Sequence, residues 1–305
     1  MNPSLSGNNP LAKLSGRGLL IGAPWFWMGV FFLLPFLFII KLSLSEAALM
    51  QPPYLPFIRE IEDGLVTLVV NFGNYSLLFE DPLYWKALLS SIEIAAIATL
   101  VTLLIGYPMA YAIAKAPKAW RLPLLMLIIL PFWTSFLIRV YAWIGILKTN
   151  GILNDALLGL GLIDQPLEIL YTPTAVYIGI VYSYLPFMIL PLYATLIRLD
   201  DTLLEAAADL GCPPWKQFLT VTLPLSLPGI IAGSMLVFIP VMGEFVIPDL
   251  LGGPNTLMIG KLMWTEFFNN KDWPLASALA AVLLVVLIIP FVLWQHFEKR
   301  LEMRQ

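Results

Sequence analysis

Histidine and cysteine are almost absent: in 305 residues there is one of each, His296 and Cys212. A lone cysteine excludes an internal disulfide framework and any cysteine-built metal site. A lone histidine argues against histidine-based metal binding or acid–base chemistry. Charge is scarce too. Asp, Glu, Lys and Arg make up 12% of the chain, against about 25% in a soluble globular chain. No G-x4-G-K-[ST] loop occurs, so the chain lacks that phosphate cradle. There is no internal repeat, no low-complexity run and no separable soluble domain.

What remains is hydrophobic, 59% of all residues. Several apolar runs reach the ~20 helical residues that span a ~30 Å hydrocarbon core. The expected fold is therefore all-α and polytopic, one transmembrane domain over 1–305. Its six spans lie at about 18–40, 88–114, 122–147, 171–196, 227–248 and 274–295. Gly18–Ile40 carries no charge, follows Lys13 and Arg17 and lacks a small-x-small cleavage site, which reads as an uncleaved signal anchor. Residues 45–87 are too long for a turn and open on Pro52, Pro53 and Pro56. They fit either an outer hairpin or an amphipathic surface segment. Residues 256–270 place Leu257, Met258, Leu262, Met263 and Trp264 near one helical side, which predicts a short interfacial helix.

Lysine and arginine set the orientation. With both termini inside, ten cations face the cytoplasm and six face outward. The turn holding Lys115, Lys118 and Arg121 has no acid and anchors the cytoplasmic side. The acids are skewed the other way, twelve outside and six inside. A negative outer mouth would gather cations by long-range steering. It equally satisfies the positive-inside rule with no further role.

The cytoplasmic stretch 197–226 carries a pattern. Glu205-Ala206-Ala207 is followed after three residues by Gly211, after nine more by Val221, and then by Leu223-Pro224. Ala206, Ala207 and Ala208 are strong helix formers. Thr202 and Glu205 have capping-box spacing. Gly211 suits a left-handed cap, and Pro213-Pro214 forbid continuation. A short helix, a glycine elbow and a second helix from about Trp215 follow from these residues.

Three ionisable residues fall inside spans, where each costs roughly 2.5–3.5 kcal/mol at mid-bilayer. Arg139 lies 18 residues past Arg121, or about 27 Å along a helix, near the outer end of its span. Glu93 and Glu244 also fall in the outer half. Glu93 can snorkel to the interface. Arg139 can do the same, or pair with Glu244. Aromatics crowd this depth, Trp133, Tyr141 and Trp264 among them. They suit an interfacial belt or cation–π contact with an ammonium group.

The loop resembles the ATPase-docking loop of ABC-importer permeases, E-A-A-x3-G-x9-I-x-L-P, with Val221 in place of isoleucine. Ile105-Gly106-Tyr107-Pro108, the stretch from Pro131-Phe132-Trp133 to Arg139, and Gly243-Glu244-Phe245-Val246-Ile247-Pro248 resemble the bacterial polyamine permeases. Ile144-Gly145-Ile146-Leu147-Lys148 and Asp272-Trp273-Pro274 are similar to the putrescine-type branch. The resemblance covers nearly the whole chain. It implies a type I importer of MetI-like permease fold in the bacterial inner membrane. Its partners would be a second permease subunit, a pair of ATP-binding subunits and a periplasmic polyamine-binding protein, with lipid around it and no nucleic acid. It implies no cofactor on this chain, ATP and Mg being bound by the ATPase, and no enzymatic activity here. Glu205, Ala206, Ala207, Gly211, Leu223 and Pro224 would couple to the ATPase. Glu244, Trp133, Tyr141, Arg139, Glu93 and Trp264 would line the substrate path, with no metal site. A spermidine, ferric-iron or oxyanion permease would share this architecture. A secondary transporter or channel is the reading from a different class.

Overall fold

Gly16–Met28 (α1) continues through a π-helical turn, Gly29–Leu33, into Leu34–Ser43 (α2). The computed structural model to which these helices belong describes residues 16–61, 65–254 and 256–302. The wide turn stands just before Pro35, which has no N–H to close a regular ladder.

The outer segment after α2 contains a hairpin, one of the two forms its length and prolines allowed. Ile58–Ile61 (β1) pairs antiparallel with Leu65–Leu68 (β2), placing Ile58 opposite Leu68. This ribbon is a small exception to the expected all-α chain. Gly73–Glu80 (α3) then holds the segment down, because Asn74 Nδ2 donates to the carbonyls of Ser43 and Ser45 at 2.9 and 2.8 Å. Pro82–Lys115 (α4) starts earlier than the expected 88. Asp81 caps it by accepting from the Leu83 N–H at 2.8 Å, and Pro82 tolerates the first turn.

The third span differs from its expectation. One helix over 122–147 was expected, and there are two: Lys118–Ile129 (α5) and Phe136–Leu147 (α6), joined by the 3₁₀ turn Leu130–Trp133 and an extended Thr134. Pro131 cannot donate back to the preceding turn, and the Thr134 hydroxyl takes up its carbonyl at 2.7 Å. Ile152–Gly159 (α7) and Pro173–Leu196 (α8) follow. The loop 197–226 contains Asp201–Asp209 (α9), Pro214–Gln217 (α10), the π-helical turn Phe218–Thr222 and Leu223–Leu225 (α11). The fifth span, expected to run to 248, ends with Leu227–Met242 (α12) and restarts as Val246–Leu250 (α13). Ile259–Trp264 (α14) widens into Thr265–Asn269, and Trp273–Glu302 (α15) ends the fold. Among the described residues five stretches are long and apolar enough to cross a membrane, or six when the pair Pro214–Leu225 and Leu227–Met242, bent by 64°, is taken as one.

The core forms where α4, α8 and α12 meet. Lipid tails are as apolar as leucine, so such helices associate by close packing. Met188 of α8 is fully buried between two glycines. A Cβ at Gly233 would stand 2.8 Å from its sulfur, and one at Gly106 3.0 Å from its Cγ. The first span is the opposite case: none of its apolar window is buried, and only α2 packs on α15.

The segment 256–270 does form a short helix, and much of its apolar side faces the core. Met258, Ile259 and Leu262 are buried, and the Ile259 N–H donates to the buried Ser91 hydroxyl of α4 at 2.8 Å. α14 packs on α4 and α15, while Trp264 on the same side stays exposed.

Candidate functional site

Two regions carry the candidate residues. The first, in the loop 197–226, is built around Gly211. The cap of α9 is Asp200, not Thr202 as its spacing suggested. Asp200 Oδ1 accepts from the Thr202 N–H at 3.0 Å, so Thr202 already lies inside the first turn. An aspartate before the helix reaches the free N–H groups with a charged acceptor, which favours it over threonine. The hydrogen bonds from Thr202, backbone first, hold the Asp200 carboxyl below the usual carboxylate range. At the other end, Gly211 has φ +76°. The Gly211 N–H donates to Ala208 O at 2.8 Å and the Cys212 N–H to Ala207 O at 3.0 Å. Together these two bonds make a Schellman cap, which glycine alone adopts without a Cβ penalty. Gln217 Nε2 then ties the next turn to Cys212 O at 2.7 Å.

The elbow presents an apolar surface. Leu210 is 88% exposed and Trp215 67%. Leu203 and Leu219 are exposed as well. Glu205, Ala206, Gly211 and Pro224 are also exposed, whereas Ala207 and Leu223 are half-buried. Lys115 at the end of α4 forms an ion pair with Asp201 of α9.

The outer region is built on breaks in two spans. The Glu244 carboxylate sits where α12 stops and is buried. It accepts the Tyr184 hydroxyl at 2.6 Å, and Oε1 faces the N–H groups of Val246 and Ile247 at 3.0 and 3.4 Å. It therefore receives the first free donors of α13 as well as a tyrosine of α8. The Arg139–Glu244 ion pair does not form. The Arg139 guanidinium lies over the Phe132 ring at 4.6 Å and the Phe136 ring at 5.7 Å. Its buried Nε and Nη1 have no hydrogen-bond partner. The 3₁₀ turn of the third span folds Phe132 back over the cation, and ring faces take the place of a carboxylate.

Residues 18–303 match the family described as binding-protein-dependent transport system inner membrane component. The chain belongs to this family. It is a permease subunit of the bacterial inner membrane, not an enzyme, with several spans in that membrane. The permease is 43% identical over 270 residues to the spermidine/putrescine transport system permease protein PotB of Escherichia coli, covering 88% of this chain and 93% of that protein. It is 40% identical over 276 residues to PotB of Haemophilus influenzae, covering 90% and 92%. The molybdenum transport permease ModB of Mycobacterium bovis is 30% identical over 256 residues, covering 80% and 95%. Among solved structures, a bacterial ABC transporter that imports the acidic polysaccharide alginate superposes with a TM-score of 0.69 at 16% identity, covering 96% of the permease and 99% of that chain.

The remaining candidates of the permease are scattered. Trp133 and Tyr141 are exposed on α6 and its approach, and Glu93 is exposed on α4. Trp264 stacks on Phe245, beside Glu244, at 4.4 Å and meets Phe268 at 4.0 Å. Among the described residues no hydrogen bond or ring contact joins Trp133 or Tyr141 to Glu244. Three other aromatics connect the two charges instead: Phe132 of the Pro131–Arg139 stretch, Tyr184 of the outer aromatic crowd, and Phe187, which the sequence reading passed over. Tyr184 meets Phe187 at 6.1 Å, Phe187 meets Phe132 edge-on at 5.3 Å, and Phe132 carries Arg139. Nothing in their spacing marks them, because they come from two different spans. Leu210 could have been noticed, being a large apolar residue directly before the cap glycine at the polar end of α9. Among the described residues no group of three or more His, Cys, Asp or Glu lies close enough to hold a metal ion.

Proposed function

We propose that this permease imports a polyamine, putrescine in the first instance, and that ATP hydrolysis on a partner drives it. The substrate class rests on one observation, the 43% identity over 88% of the chain to the spermidine/putrescine permease. The loop 197–226 docks on an ATP-binding subunit pair that carries ATP and Mg. Glu205, Ala206, Ala207, Gly211, Leu223 and Pro224 shape that contact, and the exposed Leu210 and Trp215 fill a groove on the ATPase. Such a use accounts for large apolar side chains left open on a cytoplasmic loop. A second permease subunit and a periplasmic polyamine-binding protein complete the assembly, with both termini cytoplasmic. In the path, Glu244 keeps a negative charge beside the Phe245 and Trp264 rings. Trp133, Tyr141 and Glu93 present further ring faces and charge to the partner subunit. Arg139 spends its own charge on Phe132 and Phe136, so it does not cancel Glu244.

The experiment is uptake of labelled putrescine and spermidine into liposomes holding the whole complex, with binding protein outside and ATP inside. ATP-dependent uptake of a polyamine, putrescine fastest, is expected. Uptake of molybdate or ferric iron with no polyamine uptake would overturn the substrate class. Uptake that persists without ATP would favour a secondary transporter or channel.

A further inference from the structure

The last two turns of α4 grip the cytoplasmic loop at separate points. The Tyr107 hydroxyl meets the Ser226 hydroxyl at 2.8 Å across 119 residues of sequence, in a buried position. Ser226 Oγ also donates to Leu223 O at 2.9 Å. A serine has one hydroxyl proton. With that proton on Leu223, Tyr107 is the donor, and the relay runs from Tyr107 through Ser226 to the carbonyl of Leu223. Ser226 is fully buried and stands at the 64° bend between the loop helices and α12. Eight residues earlier in the loop, Phe218 points its ring edge-on to Tyr107 at 5.5 Å and to Tyr111 at 6.1 Å, each at 88°. Lys115 adds the ion pair with Asp201. By contrast α9 has no buried residue.

A loop seated on so little core cannot pass a displacement on by its own packing. It must pass it through the points where it is held. The ion pair is exposed and contributes little rigidity. The buried point is Tyr107 with Ser226, and a half-buried one is Phe218 between two tyrosines. Both lie on α4, and α4 packs along α8 and α12 in the core. We propose that Tyr107 is a positioning residue for energy coupling: its hydrogen bond to Ser226 locks the bend to α4, so that the loop's stroke moves α4 together with α12. This rests on the coupling role of the loop proposed above.

Tyr107→Phe keeps the ring, and with it the Phe218 contact, and removes only the donor. The test uses the purified complex with ATPase, second permease and binding protein, in liposomes. The wild-type complex is expected to show ATP-dependent uptake; its absence would overturn the functional reading and with it the joint's role, whereas the variants test the joint by itself. Tyr107→Phe should still copurify with the ATPase and hydrolyse ATP at near the wild-type rate. Its uptake per ATP hydrolysed should fall roughly tenfold, the scale set by loss of one buried hydrogen bond. Ser226→Ala should give the same fall, and the double variant no more than either single one. A coupling ratio equal to wild type in Tyr107→Phe overturns the proposal. So does a loss of uptake and hydrolysis in equal proportion, which is what simple destabilisation would give.

Discussion

A buried carboxylate in a membrane protein must be paid in hydrogen bonds, and Glu244 receives them from Tyr184, Val246 and Ile247. Bonds to a charged acceptor contribute roughly 1.5–3 kcal/mol each against 0.5–1.5 for neutral ones. Glu244→Gln keeps the shape and removes the charge. It should lower the melting temperature of the complex only slightly while reducing polyamine uptake several-fold at matched expression. Uptake at the wild-type rate would show that the charge has no part in passage. Tyr184→Phe separates the two roles, since it removes one donor and leaves the carboxyl group with its backbone donors. Arg139 solves the same burial problem with ring faces, which is why the two charges sit apart in one outer region.

At the scale of an element, the loop is a short helix with a cap at each end. Asp200 closes the start and the Schellman bonds close the finish. The Asp200 carboxyl is held low by its Thr202 bonds, so its contribution is whole above the ordinary carboxylate range and is lost as pH falls through that lowered value. Nothing lies within 4 Å of a Cβ placed at Gly211, but its φ of +76° is costly for any other residue. Leaving glycine there costs an L-residue roughly 1–2 kcal/mol of backbone strain. Gly211→Ala should therefore be mild. Gly211→Trp adds bulk to the exposed elbow, and is expected to insert normally yet lose the ATPase on copurification and lose transport. Full uptake by that variant would remove the elbow from the coupling mechanism.

At the scale of the whole molecule, the cation count orients the chain. Residues 115–121 and 197–226 face the cytoplasm in this reading. Lys118 and Lys148 are both exposed and lie at opposite ends of the third span. With Cys212 replaced by serine, Lys148→Cys should react with an impermeant thiol reagent added outside cells with a permeabilised outer membrane. Lys118→Cys should react only in inverted vesicles. The opposite pattern would invert the topology. The unburied first span belongs to this scale as well, since its surface is apolar all round and suits a lipid environment.

The sequence by itself determined the class, the approximate spans and the elbow. These depend on run length, on cation placement and on residues within one short loop, where Ala206, Gly211 and Pro213 act on their own backbone. Glu244 and Arg139 were legible as charges within apolar runs, and helical rise converts such positions into an expected depth. Only the tertiary structure decided what those charges touch. Tyr184 and Glu244 are 60 residues apart, and no local periodicity links them. The break at Pro131 turned Phe132 onto Arg139 and separated it from Glu244. Only the fold showed that Met258 and Leu262 of the amphipathic stretch 256–270 are buried against the core, since one apolar side serves a core as well as a lipid interface. The Tyr107–Ser226 joint depends on where the bend at Ser226 brings two distant segments, and that geometry exists only in the folded chain.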